Sequence, residues 1–418
     1  MHVLIDEPFH PGHRLNIAGL LLDAIVRLPG VRVTFATSPE AAGSKQFATW
    51  IAPRLTSAVT VDTSLPNRFR TEVKTDYFNA WLAASERVVK SAAIDHVILP
   101  AGDGVTACAA LRKFRSPRAY KQAEWETMLF RGRFAYITPA TLKEKVSTAL
   151  GLAALRMSPM RVIHHMDPII GEAILGRYPG MRGRFDIVPD PVDPMEAELT
   201  KREARRRLGL REEGRVVGCA GAIDVRKGSD LLISAFLKGL RDGRLKPDDR
   251  LLLVGPHDQD LPITSEIAEA RRTGHIVSID RFVSDQEMSN GLSAMDVVAT
   301  PYPSHIGSAS IAIRAAAQQR PVLASAFGWL GALVPRFGLG NVCDVSDADA
   351  FASAIVRSLD EADQYVQGPA AEQFVRYCSV ANFQAHWLQR LSARLNVAPP
   401  AVIRWSDLAQ ASGDRRPT

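Results

Sequence analysis

The sequence predicts an α/β protein built as two doubly wound, parallel-sheet domains, and three observations carry that prediction. Short β-branched and aliphatic runs alternate with longer helical patterns throughout, the signature of parallel strands with covering helices. The chain has 418 residues, too many for one compact domain and suited to two of about 200 each. Between the halves, "PDPVDPMEAELTKREARRRLGL" (189–210) sets three prolines ahead of a charged helical stretch.

In the first half the strand candidates are "HVLID" (2–6), "VRVTFAT" (31–37), "HVILP" (96–100), "RVIHH" (161–165) and "FDIVPD" (185–190). In the second half they are "RVVGCAG" (215–221), "RLLLVGP" (250–256), "HIVSI" (275–279), "DVVATP" (296–301), "RPVLAS" (320–325) and "GNVCDV" (340–345). The expected boundaries are a first domain over 1–190, a linker over 191–213 and a second domain over 214–378. A helix over 379–398 is expected to pack back towards the first domain, and 399–418 reads as a tail in which Trp405 and Leu408 are the candidate anchors.

Hydrophobic residues at 46% and charged residues at 23% describe an ordinary soluble chain without low-complexity clustering. The first residues, "MHVLIDEPFHPGHR", lack the apolar core of an export signal and read as a strand and loop. The longest conspicuous uncharged run, 321–334, is too short to span a membrane. Cys108, Cys219, Cys343 and Cys378 have no paired-ligand spacing, so neither a zinc site nor a disulfide framework is expected, and a reducing cytoplasm suits them. The net charge of +6 is mild, with part of it concentrated in "KREARRR" (201–207). That segment reads first as a solvated helix face and second as a contact for an anionic membrane surface.

Two stretches carry chemistry. "GCAGAIDVRKGSDLLISAF" (218–236) runs from a buried strand through small residues into a helix, with Arg226 and Lys227 just before Gly228. Small residues such as Gly221 let a ligand approach the backbone, and a lysine at a helix start can neutralise a phosphate. In "YPSHIGSAS" (302–310), Gly307, Ser308, Ala309 and Ser310 precede a helix and can offer backbone N–H groups to an anion. Each stretch alone also reads as a plain structural turn.

Taken in order, these pieces resemble the retaining glycosyltransferases of family 4, group 1 type, in the GT-B fold, over most of the chain. In that family the second domain carries a glycine, an arginine and a "KG" pair after its first strand. A "VG" strand, a base-reading strand and loop, an aspartate strand ending in proline, an E-x7-E helix and a "PV" strand follow. Here Gly221, Lys227 with Gly228, "LLLVGP" (251–256), "IVSIDRFVSD" (276–285), "MDVVATPYPS" (295–304) and "RPVLAS" (320–325) stand in that order, and "IVPDPVDP" (187–194) resembles the family's linker. The resemblance implies two Rossmann-like domains facing across a cleft, a nucleotide diphosphate sugar as donor, and neither cofactor nor metal. Phe282 and Val283 fall in the base-reading loop.

The departures are specific. Counting back from Pro321, the two family glutamates fall on Ile306 and Arg314, and the arginine falls on Ala222. In the family the first glutamate holds donor-sugar hydroxyls, the second the ribose, and the arginine and lysine the diphosphate. One arrangement keeps the site active: Arg314, Lys227 and the backbone of Gly307, Ser308, Ala309 and Ser310 clamp the leaving diphosphate, with Arg226 replacing the missing arginine. The opposing reading pairs Arg314 with a surface acid and leaves a non-catalytic GT-B protein that binds a glycan or supports a partner transferase. An epimerase or phosphorylase has no specific support.

In the first domain, the loop "DEPFHPGHR" (6–14) offers Gly12, His13 and Arg14 for the acceptor, with His13 the preferred polar contact at the reacting centre. "ILPAGDG" (98–104) offers Asp103 to a sugar hydroxyl, and "LFRGRFAY" (129–136) offers Arg131 and Arg133 to a phosphate or acidic acceptor. Other signals are discounted. "DAD" (347–349) matches metal-dependent transferases in text only, since Asp347 reads as a helix cap. In "HHMD" (164–167) adjacent histidines on a strand point to opposite faces and Asp167 reads as a cap. "TLKEKVSTALGLAALRM" (141–157) reads first as a core helix and second as a membrane-surface contact. The expected partners are a nucleotide sugar, a glycan or lipid-linked acceptor and a membrane surface approached peripherally from the cytoplasm, with no nucleic acid.

Overall fold

The computed structural model describes residues 1–67, 74–130, 141–193, 198–262 and 264–411. The chain forms two compact units, Met1–Pro189 with Val380–Arg404, and Asp190–Ser379 with the end of the chain from Trp405.

Unit 1 holds β1 (His2–Asp6), β2 (Arg32–Ala36), β3 (Val59–Asp62), β4 (His96–Leu99), β5 (Glu124–Leu129), β6 (Val162–His165) and β7 (Phe185–Ile187). They make a seven-stranded sheet in the order β3-β2-β1-β4-β5-β6-β7, every pair parallel. Strands covered on both faces need apolar side chains on both, which is why β1 and β4 are legible as continuous hydrophobic runs. Phe383, Trp387 and Leu391, from the helix Val380–Arg394, complete the core beside Val3, Ile5 and Phe35.

Two strands escaped the sequence reading. β3 is a half-exposed edge strand with no apolar run to announce it. β5, "EWETML", hides a charge in its middle: Glu126 is buried between His96 and His164, at 3.6 and 3.4 Å. His164 also meets Asp186 at 3.5 Å, and His386 of the helix Val380–Arg394 lies 2.8 Å from the same carboxylate. Arg390 of that helix reaches Glu126 at 3.1 Å, so a buried network of alternating charges ties the helix into unit 1.

Unit 2 holds β8 (Val216–Ala220), β9 (Arg250–Val254), β10 (Ile276–Ile279), β11 (Val297–Thr300), β12 (Val322–Ser325) and β13 (Gly340–Cys343). Its sheet is also wholly parallel, in the order β10-β9-β8-β11-β12-β13. The stretch 191–213 contains a helix, Lys201–Arg207, and belongs to this unit. Its basic residues divide: Arg202, Arg206 and Arg207 are exposed, as a solvated face requires, and Lys201 and Arg205 are engaged internally. Arg205 is buried, donates to the carbonyls of Ala294, Glu212 and Gly214, and pairs with Asp296, which also pairs with Lys201. Lys201 and Arg205, spent on an internal carboxylate, are withdrawn from the solvent-facing side, which Arg202, Arg206 and Arg207 line.

Asp347 caps the helix Ala348–Glu361 and Asp167 caps Pro168–Arg177, each accepting two backbone N–H groups. The tail is helical over Trp405–Ala411, with Trp405 packed on Phe337 and Tyr377 at ring separations of 5.7 Å each. The helix Leu142–Met157 is not the core helix expected: among its residues only Leu152 and Leu155 are buried, because its larger apolar stripe faces outward. Among the described residues no helix is long and apolar enough to cross a membrane.

Candidate functional site

In a wholly parallel sheet the strands all end at one edge, and a ligand crevice opens where the order reverses. In unit 2 the chain runs outwards from β8 to β9 and β10, then returns to β11 on the other side of β8. The reversal therefore lies between β8 and β11, and the loops after them, 221–228 and 301–309, are the two stretches the sequence singled out.

The first loop is shaped around Lys227. Asp224 accepts the Lys227 N–H at 2.7 Å and caps the short turn Val225–Lys227. The chain then reverses at Gly228 in the left-handed region, φ +69°, where a Cβ would lie 2.3 Å from the Pro301 carbonyl oxygen. Only glycine lets the two loops close on each other there. The Lys227 side chain folds back over Gly221, whose own missing Cβ would lie 2.6 Å from Nζ, and Nζ sits 5.6 Å from the ring centroid of buried Tyr302. Among the described residues no carboxylate pairs with this ammonium. Burial, then the neighbouring Arg226, holds its pKa below the ordinary lysine value.

The second loop presents donors. His305 stacks edge-on against Tyr302 with ring centroids 5.2 Å apart, and its Nε2 lies 3.0 Å from the Ser308 carbonyl oxygen, as a donor in that tautomer. Ser308 donates its hydroxyl to Asp190 at 2.8 Å, so that hydroxyl is a structural tether. Gly307 has φ +105°. The helix Ser310–Ala317 begins at Ala309, which has no side-chain oxygen to cap it. Ala312 N–H donates back to the Ala309 carbonyl, and among the described residues the N–H groups of Ser310 and Ile311 have no acceptor. An uncapped helix start and an unpaired ammonium, carried by the two loops at this strand reversal, are each suited to an anion.

The other expected donor contacts lie as follows. Arg226 is exposed and pairs with Asp224 at 3.1 Å. Arg314 donates to Asp285 at 3.0 Å, a carboxylate at the start of the helix Asp285–Ser293. The structure thus gives Arg314 the acidic partner that the opposing sequence reading supposed. Phe282 is 80% exposed, Val283 is buried and Ile306 is half-buried.

In unit 1 the reversal falls between β1 and β4. The loop after β1 is organised by Glu7, a buried carboxylate that accepts from Phe9 N–H at 3.0 Å and from Arg14 at 3.3 Å. The Arg14 guanidinium also lies 4.8 Å from the Phe9 ring centroid. Gly12 and His13 are exposed, Gly12 with φ +73°, and His13 begins the helix Arg14–Ile25 without a side-chain cap bond. After β4, Asp103 accepts the Phe130 N–H at 3.0 Å. Arg131 and Arg133 lie outside the described residues.

Five groups, Glu7 among them, went unnoticed in the sequence. Tyr302 and Asp224 flank Lys227, and Asp285 holds Arg314. Asp6, at the end of β1, is buried against Trp81 Nε1 at 2.6 Å, and burial raises its pKa to about 7. Two consecutive carboxylates closing a buried strand, "DE", were the available signal for Asp6 and Glu7; nothing in the text marks Asp285.

Residues 214–361 match the family model described as glycosyl transferases group 1. A 2-deoxystreptamine glucosyltransferase of Streptomyces kanamyceticus is 31% identical over 164 residues, 38% of each chain. A D-inositol 3-phosphate glycosyltransferase of Salinispora arenicola is 28% identical over 256 residues, 57% of this chain and 55% of that one. The chain thus spans less than two thirds of the length of these curated relatives. Among solved structures, Anabaena Alr3699/HepE in complex with UDP superposes with TM-score 0.67 at 16% identity, over 94% of this chain and all of that one. Sucrose-phosphate synthase from Thermosynechococcus elongatus gives TM-score 0.66 at 18% identity, covering 94% and 98%. The fold is therefore GT-B, residues 214–361 in unit 2 are similar to group 1 glycosyl transferases, and the matched family and the names of the relatives are those of transferase enzymes.

Proposed function

We propose that the chain transfers a hexose-type unit from a nucleotide diphosphate sugar to an acceptor hydroxyl, with retention, without a metal, on the cytoplasmic side. The observation that carries this reading is Lys227: an ammonium held over Gly221 at the strand reversal, with no carboxylate bonded to it among the described residues, while the loop after the facing strand leads into the uncapped start of Ser310–Ala317. A diphosphate fits both, since it accepts from N–H groups and neutralises the cation. In the front-side mechanism implied by the family resemblance the departing phosphate takes the acceptor proton, so the charge growing on it is what Lys227 and the helix start stabilise.

Arg314 enters differently from the sequence expectation. Bound to Asp285, it braces the start of the helix that follows the base-reading loop around Phe282 and Val283. We assign it to holding that loop, and the phosphate role to Lys227, with Arg226 at the rim. His13, Gly12, Arg14 and Asp103 remain the acceptor-side candidates. The acceptor class proposed is a surface glycan or a lipid-linked glycan, which would bring the chain to a membrane surface. The relatives' names carry D-inositol 3-phosphate and 2-deoxystreptamine, so these belong in the acceptor panel beside it.

A non-catalytic glycan-binding reading is favoured by one observation, that Ile306 and Arg314 stand where the resembling family has carboxylates. Thermal stability of the purified protein against UDP, GDP, ADP and dTDP, then turnover of the corresponding sugars, tests both. Stabilisation by one nucleotide with turnover of its sugar supports transfer. Stabilisation by none of them in folded protein refutes it.

A further inference from the structure

The helix Leu142–Met157 has two apolar faces. One is buried: Leu152 and Leu155 turn inward and the helix packs on Val105–Arg115. At about 100° per residue, Leu142, Val146, Leu150 and Met157 fall within an arc of about 80° on a different side. Their exposures are 78%, 49%, 65% and 49%. Lys143 borders this arc on one edge, and Lys145 and Arg156 border it on the other. Glu144, the one acid in the helix, is turned back into a capping box with Thr141.

The neighbouring helix adds exposed apolar side chains near the Met157 end. Leu111 and Phe114 are each 68% exposed, and Lys113 donates to the Met157 carbonyl while its ammonium lies 5.1 Å from the Phe114 ring centroid. Lys113 therefore joins the Phe114 end of one apolar stripe to the Met157 end of the other, and Arg115 adds a further exposed cation. The result is a two-helix apolar face rimmed by lysine and arginine.

We propose that this face docks on an anionic lipid bilayer. Apolar side chains at the centre suit the acyl boundary, and flanking lysines and arginines can extend along their own aliphatic stems to reach phosphates. A second copy of the chain fits less well, because an isologous contact would set the same cations against each other. Nothing in the inference depends on sugar transfer, and its test reads no nucleotide.

The test is co-flotation of the 418-residue chain with phosphatidylcholine vesicles, with and without phosphatidylglycerol, at low and high salt. The wild type is expected to float with the anionic vesicles and to release at high salt. The pair Phe114→Glu with Leu150→Glu is expected to lose roughly tenfold or more in partitioning, from lost apolar burial. The pair Lys143→Glu with Lys145→Glu should lose the anionic preference, on the order of tenfold. All four positions are exposed, so unchanged melting midpoints are expected; should the glutamate pair unfold, the lysine pair still decides. The proposal is overturned if the wild type stays with the soluble fraction, if both pairs bind like wild type, or if sedimentation shows a dimer that the glutamate pair dissociates while vesicles capture nothing.

Discussion

Replacing Lys227 by methionine isolates the charge that the proposed site turns on, since methionine keeps most of the aliphatic stem over Gly221 and beside Tyr302. In the unliganded protein the ammonium has lost water without gaining a carboxylate, so its removal should leave stability unchanged or slightly raised. With a diphosphate bound the same group makes charge-assisted hydrogen bonds, worth about 1.5–3 kcal/mol. A mid-range loss of about 2.3 kcal/mol raises the dissociation constant roughly fiftyfold. At a nucleotide concentration that is a hundred times the wild-type constant, the stabilisation of about 2.7 kcal/mol should fall to about 0.7 kcal/mol in the variant. Denaturant melts with and without nucleotide, checked by titration calorimetry, measure both quantities. A variant that keeps the full ligand stabilisation, or one whose unliganded form is clearly destabilised, would refute the assignment: the first outcome places the phosphate elsewhere, and the second makes Lys227 a structural cation.

Arg314→Ala and Asp285→Ala should each weaken nucleotide binding less than about tenfold, as expected for a part-exposed pair worth at most about 1 kcal/mol. If Arg314 instead clamps phosphate directly, Asp285→Ala would free the guanidinium and tighten binding, which calorimetry distinguishes. Gly228→Ala should cost stability and nucleotide binding together, through a left-handed penalty of about 1–2 kcal/mol plus the collision with Pro301, whereas Gly12→Ala, with open space around it, should show only the backbone penalty. In unit 1, burial alone would lower the pKa of His164, but Asp186 and Glu126 reverse this and hold it at about 9. The stability it contributes is complete below its unfolded value near 6.5 and is lost as pH rises to about 9. Histidine NMR, assigned with His164→Gln, should show an imidazole titrating near 9, and titration at or below 6.5 would sink this account of the network.

What the text of the chain revealed follows from what burial demands of side chains. Strands enclosed on both faces must be apolar throughout, so β1, β4 and β9 could be read directly. β5 could not, because Glu126 is made tolerable by His96, His164 and Arg390, partners that stand 30 to more than 260 positions away in the chain and meet only when the sheet forms. The loop glycines and Lys227 were legible because turn geometry and phosphate chemistry are local. The Arg314 pairing was not legible for the opposite reason: its partner is Asp285, 29 residues away, and no local pattern distinguishes a guanidinium aimed at a ligand from one held by a carboxylate. The helix Leu142–Met157 misled in a third way. Periodicity reports an apolar stripe and cannot say whether protein covers it.

The substitutions at Ile306 and Arg314 raise the question of whether the nucleotide site still works, and the energetics of Lys227 bear on it. A partly buried cation with a carboxylate nearby but, among the described residues, none bonded to it is a standing cost, which a neutral replacement would relieve. Around that lysine the chain also keeps Gly221, Gly228 and Gly307 at positive φ, and a helix start with nothing in its own sequence to cap it. The lysine charge and the uncapped helix start are unfavourable or neutral to the empty protein and favourable once an anion occupies the β8 and β11 loops, which Gly228 lets close on each other. Their convergence on one strand reversal is what argues for a site that still takes its ligand. On the proposed reading, Ile306 and Arg314 in place of the two carboxylates bear on which sugar and ribose hydroxyls are recognised, and the phosphate contacts rest on Lys227 and the helix start.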